Sequence, residues 1–156
     1  MVKNFSRPLR LLFGEPLILA VTIYLSFIYG LLYCFLTAYT VVFQGVYGMN
    51  PGVGGLPLFG MVVGLFIGTA FIIFSSIPYN KKLDANGGVP VPEWRCPPVI
   101  LGGVLFAVGL FWFGWTGFTP SVPWIVPTLS GLCTGFGLLV IFIQLFNYLI
   151  DTYLML

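Results

Sequence analysis

Two long stretches of this sequence contain no Asp, Glu, Lys or Arg: one runs from Pro16 to Asn80 and the other from Cys96 to Ile150. A water-soluble fold would have to leave much of that uncharged chain in solvent. Soluble domains are roughly 25% charged, whereas this chain is 6% charged. A bilayer removes the conflict, because its hydrocarbon core matches helices of about 20 apolar residues. Backbone amides in lipid must be bonded within their own segment or a closed barrel, and the short alternating segments of a barrel are absent. The fold class is therefore an all-α membrane protein with four transmembrane helices.

The spans are predicted at about 16–43, 56–77, 98–116 and 124–148, with a charged connection at about 79–97. The first is longer than one perpendicular crossing and should tilt or protrude. It follows Lys3, Arg7 and Arg10 but is much too long for a signal-peptide core and lacks a small-residue cleavage site, so it reads as a retained span. All six basic residues lie before the first span or between the second and third. Cytoplasmic loops carry the Lys/Arg excess, which places the N-terminus and the 79–97 loop in the cytoplasm. Trp94 then belongs at the inner interface, and Trp115 and Trp124 at the outer one.

The same composition excludes several chemistries. There is no histidine, so Ser-His, Cys-His and His-metal catalysis are not available within this chain. Cys34, Cys96 and Cys133 match no zinc spacing and read as small apolar packing residues. There is no carboxylate pair inside a span and no nucleophile–base spacing. The chain is therefore not expected to be an enzyme, and no cofactor or metal is expected. Nucleic acid is not an expected partner either, since the basic residues already follow the membrane topology rule.

The helix faces carry the remaining information. On the first span Thr22, Ser26, Tyr29, Gly30, Tyr33, Thr37, Thr40 and Gln44 share an arc of about 100°, opposite Leu, Ile, Val and Phe. Such a stripe lines a water-filled path, or it joins helices through hydroxyl hydrogen bonds; both readings stand. Gly60, Gly64 and Gly68 recur every fourth residue on the second span, and Gly131 and Gly135 form a small-xxx-small pair on the fourth, as helix-packing surfaces do. Ser130, Gly137, Gln144 and Asn147 occupy another side of the fourth span. Gln and Asn are costly in hydrocarbon without partners, so this side should face the bundle or a cavity. The third span is aromatic: Trp115 reads as an interface anchor, and Phe106, Phe111, Trp112 and Phe113 mostly as lipid-facing bulk. Glu15 and Asp151 flank the spans near the interface, where charge is cheaper than at the midplane and pairing with amides or basic residues is expected.

With these features in order, the text resembles a known family. Arg7-Pro8, Glu15-Pro16 and Tyr29-Gly30 with Tyr33 look like the start of the second half of a major facilitator superfamily transporter of the fungal-type drug:proton and polyamine antiporter branch. Glu93-Trp94-Arg95-Cys96-Pro97-Pro98 resembles that branch's loop before its ninth helix. The run from Gly109 to Thr116 resembles the ninth helix, and Trp124-Ile125-Val126-Pro127 and Asn147-Tyr148-Leu149-Ile150-Asp151 resemble the tenth and the turn after it. The resemblance covers essentially the whole chain. It implies helices seven to ten of a twelve-helix fold of two halves built from inverted repeats. The first half and the last two helices would then be the missing partners, alongside the bilayer.

The resemblance also implies a small organic solute moving through a cavity between the halves by alternating access, in the plasma membrane, with proton coupling in the complete protein. Tyr29, Tyr33 and Thr37, with Gln144 and Asn147, are the residues expected to line that cavity, and aromatic faces suit an organic cation. On this reading the chain alone does not transport. The alternative is an autonomous four-span structural or regulatory membrane protein.

Overall fold

The structure is a computed structural model that describes residues 14–153. Arg7-Pro8, the basic residues Lys3, Arg7 and Arg10, and Leu156 lie outside the described residues. The chain divides into two compact units, Met1–Cys34 and Phe35–Leu156. Helix α1 (Pro16–Thr40) begins in the first and ends in the second. The second also holds α2 (Leu58–Ala85), α3 (Cys96–Thr116) and α4 (Ile125–Tyr153). Among the described residues, four helical segments are long and apolar enough to cross a membrane: Pro16–Val46, Val53–Ala85, Pro92–Thr116 and Ile125–Thr152. This is a multi-pass membrane protein.

The element ends follow local chemistry. Past Thr40 the helix widens into a π-helical segment, Val41–Val46, closed by the Tyr47 and Met49 amides donating to Val42 and Phe43 carbonyls at 3.1 and 3.0 Å. Helix α2 runs to Ala85, well beyond the predicted end of its span. Lys81 and Lys82 fall within its last two turns, since charge does not interrupt the backbone ladder. Its 28 residues extend about 42 Å at about 1.5 Å each, more than the roughly 30 Å apolar layer. The stop comes at Gly87 and Gly88, whose φ values are +70° and +82°. The Gly88 amide turns back onto the Leu83 carbonyl at 2.9 Å, a helix C-terminal closure that needs left-handed backbone. Helix α3 starts at Cys96 with Pro97 and Pro98 in its first turn, where a missing N–H leaves no bond unmade.

Within the second unit α4 is packed between α2 and α3, and glycines set the spacing. A methyl added at Gly60, Gly64 or Gly135 would land on the carbonyl of Thr128, Leu132 or Met61, respectively. Gly68 is looser, with the Phe136 carbonyl at 3.3 Å, and at Gly131 an added methyl would sit 2.5 Å from the Tyr39 hydroxyl. On the other side of α4, Gly137 meets the Gly102 carbonyl, and Gly109 of α3 meets Thr134. Lipid tails are as apolar as Leu, so tight backbone approach of this kind carries much of the association.

An aromatic cluster closes one end of this unit. Phe35, Tyr39 and Phe43 are buried together with Phe113, and the Tyr39 and Phe113 rings stack with centroids 4.7 Å apart and planes 10° from parallel. Phe106 is 2% exposed and Phe113 5%, whereas Phe111 and Trp115 are 81% and 88% exposed. The expectation of lipid-facing bulk on α3 is therefore corrected for Phe106 and Phe113. They share the glycine-bearing face of α3: Phe106 lies against Gly137 of α4, and the Phe113 ring packs on Phe35 and Tyr39 of α1. Tyr47 donates to the Val122 carbonyl at 2.8 Å, joining the segments that precede α2 and α4. Desolvation there pushes its phenol pKa up, so it remains a donor at neutral pH.

Tyr39 donates its buried hydroxyl to the Pro127 carbonyl at 3.2 Å. Ser130 donates to the same carbonyl at 2.6 Å, so Tyr39→Phe leaves no orphaned acceptor. Its expected cost is about 0.5 kcal/mol, the low end for a net hydrogen bond, with ring stacking retained. A thermal melt shifted by many degrees would contradict that assignment.

Candidate functional site

Two groups of polar side chains stand out, and each lies within one unit. The first is on the part of α1 belonging to the N-terminal unit. Tyr29 and Tyr33 are one helical turn apart, their hydroxyls 3.0 Å from each other and their rings edge to face at 4.9 Å. They are 49% and 55% exposed. Thr22, Ser26 and Gly30 on the same arc are exposed too, as are Thr37 and Thr40 where α1 continues into the second unit. Thr40 returns its hydroxyl to the Leu36 carbonyl at 3.4 Å.

The second group lies in the larger unit, where the ends of α2 and α4 meet the short 3-10 turn Pro92–Arg95. Asp151 Oδ2 accepts from the Tyr79 hydroxyl at 2.6 Å and from Arg95 Nε at 2.5 Å. The guanidinium also lies over the Tyr79 ring, 4.0 Å from its centroid. The Arg95 and Asp151 side chains are 14% and 10% exposed. Trp94 meets Tyr79 edge-on at 6.3 Å and carries Lys82 Nζ over its face at 5.7 Å. A carboxylate, a cation and a phenol from three elements thus form one neutral latch. Beside it is an open groove of about 460 Å³, lined in part by Asn80, Leu83 and Val89.

Gln144 is 2% exposed. It is turned toward α2, donating through Nε2 to Ser75 Oγ at 3.4 Å. It therefore faces a neighbouring helix rather than open space. Asn147 is half-buried on the same helix. Tyr29 and Tyr33 belong to one unit and Thr37, Gln144 and Asn147 to the other.

The latch was not found by sequence reasoning beyond the expectation that Asp151 pairs with something. The available signal was that Arg95 and Asp151 stand at opposite ends of the same charge-free stretch. Two antiparallel helices joined by a short connection bring such ends together.

No protein-family model matches the chain, and no solved structure does. Curated relatives do. An uncharacterised transporter of Schizosaccharomyces pombe is 52% identical over 147 residues, which is 94% of this chain and 27% of that protein. The major facilitator superfamily multidrug transporter FLU1 of Candida albicans is 45% identical over 153 residues, 97% of this chain and 25% of its own length. A multidrug transporter of Candida glabrata is 45% identical over 154 residues, 98% of this chain and 26% of its own. The chain belongs to the major facilitator superfamily.

Within that superfamily it is part-length, spanning about a quarter of each relative it matches. Arg95 of the latch falls in the Glu93–Pro98 run, and Asp151 closes the Asn147–Asp151 run. Two of the stretches that resemble the major facilitator family are therefore in direct contact through an ion pair.

Proposed function

We propose that this chain forms part of the wall of the solute path in a secondary active transporter for drug-like or polyamine-type organic solutes, proton-coupled in the complete protein. The single observation behind the reading is the open polar arc of α1. Within the N-terminal unit Tyr29 and Tyr33 are about half exposed, Thr22 and Ser26 are exposed with them, and the neighbouring exposed side chains Ile23 and Phe27 are apolar. Hydrocarbon does not solvate hydroxyls, so this arc belongs against the rest of a transporter or along water. The paired rings offer π faces to an organic cation. The relatives' names as transporters and multidrug transporters support the class. The distribution of basic residues supports a cytoplasmic N-terminus and a cytoplasmic 79–97 segment, and a plasma-membrane location accords with the family resemblance.

Thiol labelling tests the reading. In a full-length protein with Cys34, Cys96 and Cys133 replaced by alanine, Tyr33→Cys and Thr37→Cys should react with a membrane-impermeant maleimide. The reaction should be at least several-fold faster than at Phe27→Cys and slowed by transported solute. Equal, slow labelling at all three positions would show that the arc is a dry helix contact.

A further inference from the structure

Gln144 leaves one polar atom unaccounted for. Its Oε1 is buried and has no hydrogen-bond partner among the described residues, although buried side-chain oxygens are bonded in the large majority of cases. Turning the carboxamide over does not help. Ser75 Oγ, the partner of Nε2, already donates its hydrogen to the Ile72 carbonyl at 3.0 Å and has only a lone pair to offer. A reversed amide would set two acceptors against each other.

Next to Gln144 is a small cavity shared with Ser75, Ser76, Tyr79 and Arg95, with about 10 Å³ of room for a water centre. That is the size that holds a single water, given two to four polar partners. The partners are present. Ser76 Oγ gives its hydrogen to the Ile72 carbonyl at 2.8 Å and keeps a lone pair. Arg95 uses Nε on Asp151, and a guanidinium carries further N–H groups. A cation would meet the positive guanidinium here, and an anion would meet the carbonyl oxygen of Gln144. A neutral molecule that both donates and accepts suits both walls.

We propose that this cavity is a binding site for one ordered water, which donates to Gln144 Oε1 and to Ser76 Oγ and accepts from the Arg95 guanidinium. The water joins the interior of α4 to the latch at its end, so that Gln144, Arg95, Tyr79 and Asp151 form one continuous polar network across α2, α4 and the Pro92–Arg95 turn. This assignment does not depend on what the protein transports.

The test is a density map of the full-length protein at a resolution that shows ordered solvent. A solvent peak is expected within hydrogen-bonding distance of both Gln144 Oε1 and the Arg95 guanidinium. It should vanish in Gln144→Leu while the Tyr79–Asp151–Arg95 contacts persist. An empty cavity, a direct protein donor on Oε1, or a peak unchanged in Gln144→Leu would overturn the proposal. If that variant cannot be purified, the parent map alone decides between the first two of these and the expected peak.

Discussion

Gly64→Leu is expected to leave little or no folded protein, while Gly30→Ala is tolerated. At Gly64 even a bare Cβ would fall on the Leu132 carbonyl, with the Leu132 Cα also 2.9 Å away. Neither atom can move without shifting α4. Overpacking a tight interior costs about 1–3 kcal/mol and sometimes more, and a leucine adds a whole branched side chain to that clash. Net stability is only about 5–15 kcal/mol in ordinary domains. Association in lipid also draws no help from a hydrophobic driving force between helices. At Gly30 no described residue of this chain lies within 4 Å of the added methyl, and alanine is the better helix former by about 0.8–1.0 kcal/mol. Gly68→Ala should fall between them, since its neighbour stands off at 3.3 Å. Melting temperatures and monodispersity of full-length variants in detergent check the order. A Gly64→Leu protein that melts like the parent would mean that α2 and α4 do not meet at this glycine.

The four spans were legible because the absence of charge over such lengths leaves no other solvent, and the helical state follows from the need to satisfy the backbone in lipid. Their ends were less so. Lys81 and Lys82 read as a loop, but they sit on the last turns of a helix that continues to Ala85, since a helix can leave the membrane without ending. Phe106 and Phe113 show a deeper limit. Core and lipid are equally apolar, so hydrophobicity does not tell a buried ring from a lipid-facing one. The signal that separates them is the small-residue face, Gly102 and Gly109 at a spacing of seven, which turns toward α4. For the candidate site, the Tyr29–Tyr33 pair follows directly from a spacing of four on a helix. The direction Gln144 faces does not, because its partner Ser75 is 69 residues away in sequence. The Arg95–Asp151 pair, separated by 56 residues, required the antiparallel packing of α3 and α4 to be seen.

Asp151→Ala is expected to destabilise the protein by about 3 kcal/mol, the lower end of what breaking a buried ion pair costs. The carboxylate holds two donors at one oxygen, and its loss leaves a guanidinium that is only 14% exposed without its counter-charge. The cost stays at the lower end because the pair lies at the end of α4, where a long side chain can reach water. Tyr79→Phe removes a hydrogen bond to a charged acceptor, worth about 1.5–3 kcal/mol, but keeps the ring beneath Arg95. Arg95→Lys keeps the charge and loses the planar fork that stacks and donates at once, so it should lie between the parent and Asp151→Ala. The decisive measurement is the double variant Asp151→Ala with Tyr79→Phe. Once the carboxylate is gone, the phenol has no acceptor left to lose, so the two costs should fall well short of adding, as shared partners do. Strict additivity in the melting free energies would mean that Tyr79 and Asp151 act independently and that no latch joins α2 to α4.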